Sequence, residues 1–379
     1  WRILSIFADV CFRTGGDLLP LPGKHRCNFY ADKMIKIGIT GAHTTAAGEL
    51  IRILINHPDV VLMTVASEEV AGLRVDMLHR GLTGDTDMCV VPSLDPSGHD
   101  AVFLCGEPWE ARRWMEMYAD VLDADEEHRV RVIDLTGAFR DGAFGMVYGL
   151  PEHNRKALVR GATRASLPSP AAMAVALALI PLAKNMLIQG PVTASAAIAS
   201  AENVSSGIPD SPDAKGDVAV STRLDPIAPI ENRPDGDDAA REVTRLLRQI
   251  QPSFAWSVSL SISRDQKFPR GIIATVDTPA SLPLAELCRR YDEAYDDHNF
   301  TYLLDRMPTP ADVANTNKCL LHLAYPSNDP DVLSASPSLR VVSVIDNLLK
   351  GSAGNAVHCL NLLFGLSERT GLALKASAY

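Results

Sequence analysis

No uninterrupted apolar run of about 18 residues occurs in this chain, so it offers no transmembrane helix. Positive charge is in deficit: 36 Lys plus Arg stand against 46 Asp plus Glu, a net charge of −10. That balance argues against a broad footprint for nucleic acid or an anionic membrane, and leaves small molecules or copies of the chain itself as the expected partners. Cysteine is sparse and scattered. The seven cysteines, Cys11, Cys27, Cys89, Cys105, Cys288, Cys319 and Cys359, show no CxxC spacing. They fit a reduced, cytoplasmic protein rather than a disulfide scaffold or a zinc site, and no metal site is expected. Histidine is absent between His153 and His298.

The 379 residues are 46% hydrophobic, enough for a large buried core divided between two domains. Residues 1–33 show no sustained period. Asp9 and Arg13 interrupt their apolar part and no small-residue cleavage site follows, so they read as an extension outside the fold rather than a signal peptide.

From Met34 short apolar strands alternate with helical segments. IKIGIT (Ile35 to Thr40) is a buried-type strand; Leu50, Ile51, Leu54 and Ile55 make a helical stripe; VVLMTVA (Val60 to Ala66) is a second strand. Strands follow at Ala101 to Cys105 and Val130 to Leu135. This order predicts right-handed βαβ units and a doubly wound parallel sheet, an α/β fold. The second half reads as an α+β domain. In WSVSLSIS, Trp256, Val258, Leu260 and Ile262 alternate with serines, which predicts a half-buried strand of an antiparallel sheet, joined by Val192 to Ser200, Gly271 to Val276 and Arg340 to Ile345. Between them, residues 205–238 carry eight acidic residues, three basic ones and five prolines, the composition of a mobile loop or a lid. Near the C-terminus Ala353, Val357, Leu360 and Phe364 form an apolar stripe that needs a partner surface, and the first domain is the natural one.

Four stretches have the residue types for chemistry. GITGAHTTAAGEL follows the first strand, where glycines would let a pyrophosphate approach a helix N-terminus; Gly41 and Gly48 suit this, but Thr44 stands where a second phosphate-facing glycine is wanted. A plain strand-to-helix turn remains the alternative. At the end of the second strand, Glu68 and Glu69 could accept from a ribose 2′-hydroxyl and would repel a 2′-phosphate, favouring NAD over NADP; a solvated charged loop reads equally well. Arg140 and Arg155 follow a buried strand and suit anionic substrate groups, or surface ion pairs. Arg270, with Lys267 nearby, suits a carboxylate or phosphate, or ordinary solvation.

The order of GAHTTAAGELIRILINHP, VIDLTGAFR, VYGLPEHNR, FPRGIIAT, NTNKCLLHL and VIDNLLKGSAGNAVHCLNLLFGL resembles the N-acetyl-gamma-glutamyl-phosphate reductases of arginine biosynthesis, relatives of aspartate-semialdehyde dehydrogenase, from Met34 to the C-terminus. The resemblance implies a Rossmann domain over residues 34–165 and 346–379, and a glyceraldehyde-3-phosphate-dehydrogenase-like dimerisation domain over residues 166–345. It also implies a homodimer or homotetramer and NADP as cofactor. By resemblance Gly41, Thr44, Gly48, Ser67, Asn347 and Gly351 face the cofactor, and Arg140 and Arg270 the substrate.

The implied chemistry needs a cysteine thiolate that attacks an acyl phosphate, NADPH to reduce the resulting thioester, and a histidine as acid and base. The family motif for the nucleophile is Asn-Pro-Gly-Cys. Here Leu167, Pro168, Ser169 and Pro170 match it, so proline stands at the nucleophile's place. Ser169 without a base is a poor substitute. The family's histidine falls just before the helix of Val243 to Ile250, where this chain has Asn232, Asp237 and Asp238, and its glycine-rich loop is replaced by ASAENVSSG. Cys105 and Cys319 lie on strands, as small core residues. The expectation is a catalytically impaired member of the family, a pseudoenzyme with weakened or lost cofactor binding. Its alternatives are an active reductase whose sequence is mis-read at the site, and a regulatory or structural subunit that pairs with an active paralogue.

Overall fold

Six strands near the start of the chain pair side by side in parallel, the central ones largely buried on both faces. In the computed structural model, which describes residues 34–123, 129–199, 236–265, 268–325 and 338–376, these are β1 (Ile35–Thr40), β2 (Val60–Ala66), β3 (Ala101–Leu104), β4 (Arg131–Asp134), β5 (Val147–Tyr148) and β6 (Arg164–Ser166). Their order is β2-β1-β3-β4-β6-β5, every neighbouring pair parallel. Val132 and Ile133 of β4 are wholly buried. The doubly wound parallel sheet expected from the alternation is present. The extension 1–33, Lys267 and all of the acidic stretch but its last three residues lie outside the described residues.

The helices of nine or more residues are α1 (Thr45–Leu54), α2 (Pro108–Met117), α3 (Pro151–Val159), α4 (Pro170–Lys184), α5 (Gly236–Ile250), α6 (Leu284–Tyr295) and α7 (Gly354–Leu363). None is long and apolar enough to cross a membrane. Helix α7 is buried along its whole length, and Ala353, Val357 and Leu360 share a core with Ile37 and Ile39 of β1 and Leu50 and Leu54 of α1. Arg131 Nε at the start of β4 donates to Leu363 O at 3.1 Å. The C-terminal stripe thus finds its partner on the first sheet.

The second sheet contains β7 (Val192–Ala199), β8 (Val258–Asp265), β9 (Ile272–Pro279), β10 (Thr301–Leu303), β11 (Cys319–Ala324) and β12 (Ser338–Ile345), in the order β10-β11-β12-β9-β7-β8. Here the serine-alternating segment departs from expectation. Strand β8 runs parallel to β7 at the sheet edge, and of its apolar residues only Leu260 is buried, with Ile262 36% exposed. The reason lies in the connection. Helix α5 stands between β7 and β8, and a strand, helix, strand crossover returns the chain in the same direction where a tight turn would reverse it. The sheet is therefore mixed, with antiparallel pairs at β11/β12, β12/β9 and β9/β7.

Helix α4 lies against this sheet with every residue from Ala171 to Ala183 buried. Its alanines leave room for close packing, and a helix apolar all round belongs inside the molecule. From Ile35 onward the chain forms one compact unit.

Candidate active site

The turn from β1 to α1 is built on Gly41, whose φ is +67° and where an added Cβ would lie 2.2 Å from Gly106 N. Only glycine allows the β1 and β3 loops to approach this closely. Thr44 then caps α1: its Oγ1 accepts from Ala47 N at 3.2 Å and donates to Gly41 O at 3.0 Å. Gly48 is required by a neighbour, since a Cβ there would meet His79 Nδ1 at 2.4 Å, and His79 Nε2 is itself 2.7 Å from Ala42 O. Burial pushes the His79 imidazole down.

At the end of β2, Ser67 Oγ lies 2.8 Å from His43 Nδ1, and His43 Nε2 is 3.7 Å from Glu69 Oε2. Two polar groups that a dinucleotide would engage, the Ala47 N–H at the helix start and the Ser67 hydroxyl, are bonded within the protein. As they stand, these residues do not form an open cradle for a pyrophosphate.

The nucleophile loop follows β6. Asp134, buried at the end of β4, accepts from Ser166 Oγ at 2.6 Å, and Leu167 N donates to Asp134 O at 2.8 Å. These bonds aim the chain at the start of α4. Ser169 is the N-cap and Pro170 the first helical residue, where its missing N–H costs nothing. The Pro170 ring packs against Gly351, where an added Cβ would lie 2.9 Å from Pro170 Cβ.

Ser169 has a partner that sequence reasoning missed. Its Oγ donates to Glu242 Oε2 at 2.8 Å and its N–H to Glu242 Oε1 at 3.2 Å. Tyr148 OH also donates to Glu242 Oε1, at 2.9 Å. Burial pushes the Tyr148 hydroxyl well up, and the Glu242 carboxylate adds to this. Arg140 Nε donates to Leu167 O at 2.9 Å and lies 3.7 Å from Glu242 Oε1. The signal for Glu242 was present in the sequence: it shares the buried face of α5 with Ala239, Val243 and Leu246. A carboxylate on an apolar helix face needs a partner.

Of the residues the resemblance assigned, the fold gathers Arg140, Ser169, Pro170 and Gly351, and places others differently. Arg270 is clasped by Asp346 Oδ2 at 2.5 Å and Glu49 Oε1 at 2.8 Å, with its Nη2 buried and without a partner. Burial alone would raise the Glu49 carboxyl, but Arg270 and Arg52 hold it down. Asn347 Oδ1 accepts from Gly271 N at 2.8 Å. Arg270 and Asn347 therefore tie the start of β9 to the end of β12. Arg155 pairs with Asp297 and Glu368 and lines a cavity of about 600 Å³ with Lys184 and His298. Lys184 ends α4, so that cavity lies about 22 Å along the helix from Ser169.

The buried cysteines among the described residues offer no thiolate here. Burial pushes the thiols of Cys105 and Cys359 far up, and that of Cys319 to about 12. Among the described residues no group of three or more His, Cys, Asp or Glu side chains could hold a metal ion.

Residues 36–160 match the semialdehyde dehydrogenase NAD binding domain, and residues 241–347 the semialdehyde dehydrogenase dimerisation domain. An N-acetyl-gamma-glutamyl-phosphate reductase of Parabacteroides distasonis is 36% identical over 91% of this chain and 100% of its own length. The chain belongs to the N-acetyl-gamma-glutamyl-phosphate reductase family. A second reductase of that name, from Bacteroides thetaiotaomicron, is 35% identical over the same shares. Among solved structures, a probable aspartate-semialdehyde dehydrogenase from Pseudomonas aeruginosa superposes with a TM-score of 0.61 at 19% identity, covering 87% of this chain and 98% of its own. The aspartate semialdehyde dehydrogenase with NADP from Candida albicans gives 0.60 at 14% over the same shares. These likenesses establish an α/β Rossmann fold joined to a dimerisation domain, as the resemblance implied.

Proposed function

We propose that this member of the reductase family keeps the framework and an acyl-phosphate site at the start of α4 but does not carry out thiolate-dependent reduction. The observation that carries this reading is Pro170, a residue without a nucleophile, at the first position of α4 and packed against Gly351. Relatives named for N-acetyl-gamma-glutamyl phosphate supply the substrate class, an acyl phosphate with an N-acylated amino-acid body. Reduction of such a substrate through a covalent thioester needs a thiolate, hydride from NADPH and a proton partner near neutral pH. Here the described cysteines in the core are held protonated, and the sequence has no histidine from residue 154 to residue 297.

The same reading extends to the dinucleotide turn. The Thr44 side chain satisfies the helix start that a pyrophosphate would otherwise occupy, and His43 holds Ser67, so binding of NADPH or NADH is weak. The dimerisation domain makes a homo-oligomer the expected assembly, in the cytoplasm.

The deciding experiment follows NADPH absorbance with the purified full chain and N-acetyl-glutamyl phosphate. No substrate-dependent oxidation above the protein-free control is expected. Steady turnover would overturn the reading.

A further inference from the structure

Ser169 has no base near it in the sequence, and the fold supplies one from 73 residues away. The Ser169 hydroxyl donates to Glu242 Oε2 at 2.8 Å, and the carboxylate is itself oriented by Tyr148 OH at 2.9 Å on its other oxygen. A nucleophile within hydrogen-bond reach of a base, the base held by a third group, is the arrangement shared by activated serines on unrelated folds. Glu242 is 8% exposed while Ser169, whose Oγ also accepts from Ala172 N at 3.4 Å, is only half-buried, so the base is the more shielded of the two. Arg140, with its Nε fixed by Leu167 O and 3.7 Å from Glu242, places a guanidinium beside the pair.

We propose that Ser169 and Glu242 form a nucleophile and base that hydrolyse an acyl phosphate, so that this chain releases a carboxylate and inorganic phosphate where its relatives are named for reduction. This rests on the reading of the start of α4 as an acyl-phosphate site. Glu242 takes the Ser169 proton as Oγ bonds to the acyl carbon, and the bond from that carbon to the phosphate oxygen breaks. Phosphate leaves with the electron pair, takes the proton from Glu242 and departs as hydrogen phosphate, its charge met by Arg140. Water then adds to the Ser169 ester, giving a proton to Glu242. The acyl carbon to Oγ bond breaks, Oγ recovers that proton, and the acid leaves. Water is the only co-reactant, and no electrons are transferred to a cofactor.

The test measures inorganic phosphate released by the full chain from N-acetyl-glutamyl phosphate, and from acetyl phosphate as a small probe, without NADPH. Release well above the protein-free control is expected, and Ser169→Ala and Glu242→Gln should each lower it about 100-fold, whereas retention to within about threefold in Ser169→Ala would overturn the proposal. Acid-quenched protein mass provides a second readout that loss of an N-cap would not move: an acetyl adduct on Ser169 with acetyl phosphate, absent in Ser169→Ala. Melting temperatures separate loss of fold from loss of chemistry. Should Ser169→Ala unfold, the near-isosteric Glu242→Gln and the adduct decide. Release equal to the control refutes the Ser169 chemistry while leaving the non-reductive reading intact; substrate-dependent NADPH oxidation refutes that reading, with the adduct still judging Ser169.

Discussion

The hydroxyl of Tyr295 donates to the carbonyl of Leu177 at 2.5 Å, inside the core. Leu177 lies four residues before Pro181, and proline has no N–H to close that turn of α4. Tyr291 serves the next carbonyl, Ala178 O, also at 2.5 Å. Two tyrosines one turn apart on α6 thus bond successive carbonyls of α4, and Tyr295 supplies the donor that Pro181 lacks. Burial pushes both hydroxyls well above their ordinary range.

Tyr295→Phe is accordingly expected to cost about 1–3 kcal/mol, the penalty of an unpaired buried carbonyl. In a Pro181→Ala background, where an alanine N–H can reach Leu177 O, the same change should cost distinctly less. Urea unfolding of the four proteins gives the coupling; equal costs in both backgrounds would show that the hydroxyl does not stand in for the missing N–H.

A second expectation concerns Lys350, whose Nζ lies 2.6 Å from Glu152 Oε1 with both side chains sealed from water. Lys350→Met should destabilise by about 3–5 kcal/mol because it strands a buried carboxylate, and Lys350→Met with Glu152→Gln should recover much of that. Burial alone would raise the Glu152 carboxyl, but Lys350 and His358 outweigh it and hold it at about 2. A depressed folded value means stability present above the unfolded value of about 4.3 and lost as the pH falls toward 2. Melting temperature against pH should fall through that window in the parent and less steeply in the double variant.

The dinucleotide turn gives a third. Thr44→Gly removes the side chain that caps α1, costing only a few tenths of a kcal/mol of helix stability, since glycine is a tolerable N-cap. It should tighten NADPH about tenfold, worth roughly 1.4 kcal/mol. Thermal shift with and without cofactor reports both effects, and unchanged affinity would exonerate Thr44.

Restoring the nucleophile alone should not restore reduction. Pro170→Cys would place a thiol at the first turn of a 15-residue helix, where the dipole favours a thiolate. Its alkylation by iodoacetamide should be faster than that of the buried Cys105 and Cys319, yet NADPH-linked turnover should stay at background, because the family's histidine and an open dinucleotide turn are still missing. Turnover from this one change would show that Pro170 is the sole defect.

Local pattern by itself determined the parallel sheet, because strands such as AVFL, apolar on both faces, and the helical stripes between them carry their periods in neighbouring residues. Motif order gave the family, and Pro170 at the nucleophile's place was plain from the same alignment of residues. Tertiary structure alone decided the direction of β8, since a crossover helix rather than the strand's own alternation sets parallel or antiparallel pairing. It alone turned Arg270 from a free cation into the clasp of Glu49 and Asp346, and gave Ser169 its partner in Glu242. Charges and hydroxyls find partners through space, across 73 residues for Ser169 and 221 for Arg270 and Glu49, and no local period in a sequence records a contact of that length.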